Sequence, residues 1–132
     1  MEISAAVNNS FNQHKVLVQT NGISRQIQIG PKQNGFGSSV NGGELLLLSL
    51  ATCFCNDIYR EAAKKNIEVL NVEVEVTANF GGEGEAGSNF NYKVNVISNA
   101  RDEEIRELIQ QTDKVAEIHN TLRNGVSVNL IL

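Results

Sequence analysis

The chain has 132 residues, a length that fits one domain, and its 41% hydrophobic and 20% charged residues are those of an ordinary globular protein. A formal net charge of -4 argues against a nucleic-acid partner or an anionic membrane surface, because binding phosphates needs clustered Lys and Arg. No stretch approaches the roughly 20 apolar residues of a membrane span, and the opening residues have neither a basic start nor a long apolar run, so a cytoplasmic protein is expected.

Short strands come first. Residues 3–7 make a weak strand, and residues 14–20 alternate better, with Val16 and Val18 on one face and Leu17 on the other. Asn21-Gly22 follows, a strong hairpin signal, since both central residues of a type I′ turn need positive φ. Residues 25–29 alternate polar and apolar and pair with the strand before them. Residues 30–43 hold the only proline and form a loop.

Asn41 then caps a helix running to about Lys65, with Glu44 three residues on in a capping-box-like position. Leu45, Leu46, Leu47, Leu48, Leu50 and Ala51 coat this helix almost all round, so it must be buried on more than one side, and a homodimer interface explains how. The period becomes two at Val72, Val74 and Val76, and again at Phe90, Tyr92, Val94 and Val96, the pattern of a hairpin around a glycine-rich loop. That loop lacks Gly-Lys-Ser/Thr, and its acids would repel phosphate. Acids at 102–104 open a second helix. A third lies around residues 113–123, and alternating Val126, Val128, Leu130 and Leu132 end the chain as a strand. The expectation is an α+β fold in the order β-β-β-α-β-β-α-α-β, with antiparallel sheets around a long buried helix.

Cys53 and Cys55 are the only cysteines. Cytosolic thiols stay reduced, and on a helix i and i+2 project about 200° apart, so no structural disulfide is expected. Cys53 is either a buried small apolar residue or a reactive thiol. Cys55 points elsewhere, into the core or an interface. Asp57 shares the Cys53 face and would raise the thiol pKa. Neither histidine makes a good zinc set with Cys-x-Cys on a helix, so no metal is expected.

Asn41-Gly42-Gly43-Glu44-Leu45 through Ala51-Thr52-Cys53-Phe54 resembles the OsmC/Ohr signature, in which an Asn-Pro-Glu-(Glu/Gln)-Leu helix start precedes Ala-(Ala/Ser)-Cys-Phe. Asn66-Ile67-Glu68-Val69 resembles the strand that follows in that family, and Leu122-Arg123-Asn124-Gly125-Val126-Ser127-Val128 resembles its closing segment, so the likeness covers about residues 39–130. It implies an intertwined homodimer whose thiol sites reduce organic hydroperoxides in oxidative stress, without a cofactor. Cys53 matches the peroxidatic cysteine, with Arg25 as the candidate helper cation. Leu50, Phe54, Cys55 and Glu44 are the candidate binding residues around it. Two departures matter: Ala116 stands where the resolving cysteine is expected, and Gly43 where the helper glutamate is. The resemblance therefore implies either a one-cysteine peroxidase served by an external thiol reductant, or a dimer that binds a small apolar ligand and has lost the peroxidase activity.

Overall fold

The computed structural model describes residues 1–132. The chain divides into two compact units, Met1–Leu45 and Leu46–Leu132.

In the first unit, β1 (Ile3–Ser10), β2 (Gln13–Thr20) and β3 (Ile23–Ile27) form an antiparallel meander in chain order. The Asn21-Gly22 turn behaves as its composition requires, with φ of 48° and 83°, the positive pair of a type I′ hairpin. It sets the register Thr20↔Ile23 and Val18↔Arg25. The loop after β3 is tied to the β1–β2 turn by side-chain amides: Gly37 N donates to Asn9 Oδ1 and Gly35 N to Asn12 Oδ1.

The helix α1 (Gly42–Lys64) begins at the end of the first unit and continues through the second. Asn41 Oδ1 accepts the Glu44 N–H at 2.8 Å, which uses a helix N–H that would otherwise be unpaired, and the Asn41 side-chain amide donates to the Glu44 carboxylate at 2.6 Å. The far end closes by a Schellman arrangement. Asn66 takes φ of 55°, while Ile67 N bonds to Ala62 O and Asn66 N to Ala63 O. Asn tolerates this left-handed position better than other side chains.

In the second unit, β4 (Val69–Asn79) and β5 (Ser88–Ser98) form an antiparallel hairpin, with Val72, Val74 and Val76 opposite Val96, Val94 and Tyr92. These alternating residues pack on a core of Phe54, Ile58 and Ala62 from α1, Leu108 from α2 (Asp102–Val115), and Ala116. Ala116 is extended (φ −69°, ψ 107°) and breaks the path into α3 (Glu117–Asn124). Within this unit only one side of α1 is covered: Leu50, Phe54 and Ile58 are buried, while Leu48 is 58% exposed.

The closing strand expected at residues 126–132 is not formed. Gly125 ends α3 with φ of 68°, and the chain beyond it pairs with no strand. The apolar alternation is present, but a strand needs a neighbouring ladder for its backbone groups, and β4 and β5 pair only with each other.

Candidate active site

Cys53, Asp57 and Arg60 recur along α1 at spacings of four and three, which puts them on one helical stripe. The Cys53 thiol is half-buried and donates to Asp57 Oδ2 at 3.3 Å. The other Asp57 oxygen meets Arg60 Nη1 at 3.1 Å, and the same nitrogen meets Glu117 Oε1 from α3 at 2.9 Å. Buried Glu61 holds the rest of the Arg60 guanidinium at 3.0 Å and takes Lys64 at 2.8 Å. The start of α3 thus reaches the Cys53 stripe through Glu117.

Burial and neighbouring carboxylates favour the protonated thiol. Burial pushes the Cys53 thiol above its ordinary value, and Asp57 and Glu117 push the same way, against the Ile118 backbone hydrogen bond. Burial also raises the Asp57 carboxyl, with Glu117 adding to it while the thiol hydrogen bond and Arg60 oppose. Its own backbone N–H, together with Arg60, holds the Glu117 carboxyl below the usual range. The arrangement is a thiol hydrogen-bonded to a carboxylate whose other oxygen is held by a guanidinium.

The ligand atoms of Cys53, Asp57 and Glu117 lie within 4.8 Å of one another. Arg60 already supplies the positive charge there, so the cluster is a poor fit to a metal ion.

On the same side of the chain, Leu46, Leu50, Val76, Phe90, Asn91, Tyr92, His119, Leu122 and Arg123 line a half-open cavity of about 380 Å³. Phe54 packs between its deeper rings, 5.0 Å from Tyr92 and 5.5 Å from His119 between centroids. The Tyr92 hydroxyl donates to Asp113, and Arg123 Nη2 reaches the same Asp113 oxygen at 2.6 Å. His119 is 5% exposed, and neither ring nitrogen has a partner in the protein. A buried polar group left in that state costs about 1–3 kcal/mol.

The sequence-derived candidates fall into three places. Leu50 lines the cavity and Phe54 supports its wall. Cys55 faces a separate shallow depression with Val72 and Val74, as the helical spacing required. Arg25 is exposed on β3, and Glu44 is occupied at the α1 cap; both belong to the first unit. The cation of this cluster is Arg60, which reaches Cys53 only through Asp57 and which sequence reasoning did not single out. Its spacing from Cys53 and Asp57 was the available signal. Glu117 gave none beyond its place next to Ala116, and His119 had been weighed only as a metal ligand.

Residues 35–131 match the family described as OsmC-like protein. The chain belongs to the OsmC-like protein family. No curated protein matches it. Solved structures share the fold of this OsmC-like protein. An OsmC-like protein from Mycoplasma pneumoniae is 23% identical with a TM-score of 0.60, over 92% of this chain and 86% of that one. An organic hydroperoxide resistance protein from Vibrio cholerae, solved with captopril in one of its active sites, is 22% identical with a TM-score of 0.60, over 93% and 85%. An OsmC-like hydroperoxide resistance protein from a Jannaschia species is 15% identical with a TM-score of 0.58, over 96% and 89%.

Proposed function

We propose that this OsmC-like protein is a one-cysteine thiol peroxidase acting on organic hydroperoxides, with Cys53 as nucleophile and Asp57 as proton acceptor. The observation that carries the reading is the 3.3 Å contact from the Cys53 thiol to Asp57, whose other oxygen is held by Arg60. The thiol is too weak an acid to lose its proton beforehand. The proton passes to Asp57 as sulfur attacks the outer peroxide oxygen and the O–O bond breaks. Cys53 becomes a sulfenic acid, and the departing alkoxide takes the proton from Asp57 and leaves as the alcohol. Arg60 stays near whichever of the groups is charged. With alanine at 116, no second cysteine of the chain stands at the family's resolving position. Two equivalents of an external thiol then restore Cys53, releasing their disulfide and water.

The hydroperoxide assignment draws on the fold neighbours named for hydroperoxide resistance. A homodimer in the cytoplasm belongs to the same reading. It is supported by the uncovered Leu48 and the exposed apolar residues after Gly125, and no helix is long and apolar enough to cross a membrane.

The test is steady-state consumption of tert-butyl hydroperoxide with a small dithiol as reductant. Wild type and Cys55→Ser turn over, and Cys53→Ser does not, while all three give the same circular dichroism spectrum. Equal rates in wild type and Cys53→Ser would contradict the assignment. A second reading, a ligand-binding protein without turnover, is favoured by the proton-retaining environment of Cys53 together with the cavity beside it. It predicts no turnover in any of the three.

A further inference from the structure

His119 takes no part in the thiol chemistry, yet it is the one polar side chain of the cavity wall that is both deeply buried and unpartnered. It is 5% exposed, neither Nδ1 nor Nε2 is hydrogen-bonded within the protein, and its ring lines the 380 Å³ cavity. Tyr92 is committed to Asp113, and Arg123 to Asp113 and Asn120. The remaining wall is mainly apolar: Leu46, Leu50, Val76, Phe90 and Leu122. The volume lies in the range of small-molecule sites, which pair apolar walls with a few orienting polar groups.

We propose that this cavity binds a neutral, apolar organic molecule carrying a hydroxyl-type head group, with His119 as its hydrogen-bond anchor. Charge decides the head group. The groups around the imidazole are Phe54 from α1, Tyr92 from β5, Asp113 from α2 and Arg123 from α3. Asp113 lies 2.6 Å from the Arg123 guanidinium and balances its charge. An anionic head would give up its hydration and find no free cation. Burial, then Arg123, holds the imidazole neutral, against Asp113. A neutral imidazole offers one donor and one acceptor. A hydroxyl can pair with either, so it fits both tautomers. Leu46 and Leu50 put the cavity on the same face of α1 as Cys53, although the thiol does not itself line it. Binding does not depend on turnover. The alcohol left by reduction of an alkyl hydroperoxide belongs to the same chemical class.

The experiment is a titration of the ¹⁵N-labelled full-length protein with 1-octanol and, separately, with octanoate, at a pH where His119 is neutral. It is read on the imidazole ¹⁵N–¹H correlations. The chain has only two histidines, so a His119→Gln variant assigns the signals. The expected result is a saturable shift of the His119 resonances with 1-octanol and much weaker binding of octanoate. His119→Phe should bind 1-octanol about five- to tenfold more weakly, the loss of one neutral hydrogen bond, while His119→Gln retains binding. The proposal is overturned if 1-octanol does not bind saturably, or binds without moving the His119 resonances. It is also overturned if octanoate binds as tightly as the alcohol, or if a folded His119→Phe binds as well as wild type. Should His119→Phe fail to fold, the wild-type shifts and the octanoate comparison decide.

Discussion

At the scale of single residues, Asp57 has two opposed effects on Cys53. It adds to burial in keeping the thiol protonated, yet its oxygen is where the proton would go. Asp57→Asn separates them. The thiol pKa should fall, read as a lower pH midpoint for Cys53 alkylation, while hydroperoxide reduction at pH 7 slows by about 10²-fold or more, as removal of a general base does. A faster Asp57→Asn enzyme would mean that Asp57 only inhibits. His119 makes a separate pH prediction. Its pKa is lowered in the folded state from an ordinary 6.5, so its contribution to stability is complete above that value. The contribution is lost as pH falls from 6.5 towards the depressed value, where the unfolded chain binds a proton that the folded one resists. Denaturant midpoints measured across that range should drop on the acid side in wild type and drop less in His119→Gln.

At the scale of elements, the hairpins and helices were legible because their signals are local. Asn21-Gly22 dictates a turn, alternating valines dictate β4 and β5, and the Asn41–Glu44 pair dictates the start of α1. The stripe Cys53, Asp57, Arg60 was equally local, and of the three only Arg60 was not read from it. Glu117 and the surroundings of His119 depend on how α2 and α3 return to α1 and β5, separations that no periodicity encodes. The end of α1 gives a test of local encoding. Asn66→Val forces a branched side chain into a left-handed position and should cost roughly 1–2 kcal/mol, whereas Asn66→Gly should be close to neutral; chemical denaturation measures both. Ile58→Ala, at a fully buried core position, should cost about 2–5 kcal/mol.

At the scale of the whole molecule, the last strand is the place where sequence pattern and chain fold part company. Val126, Val128, Leu130 and Leu132 alternate as a strand should, yet all four are exposed, Val128 to 93% and Leu132 fully. Contiguous apolar exposure of this kind marks an interaction site. The proposed homodimer supplies the missing neighbour, so sedimentation equilibrium should give twice the 14.4 kDa chain mass. Removing residues 126–132 should shift the protein towards monomer. A monomeric full-length protein would remove the dimer from the account.

The central claim is that Cys53 is the reactive thiol, and it is tested most directly by mass spectrometry of the folded protein after one equivalent of tert-butyl hydroperoxide, with dimedone present to trap sulfenic acid. The account predicts rapid dimedone labelling of Cys53, little labelling of Cys55, and loss of Cys53 labelling in Asp57→Asn over the same time. An unmodified Cys53 in the folded protein, or equal labelling of the two cysteines, would contradict it.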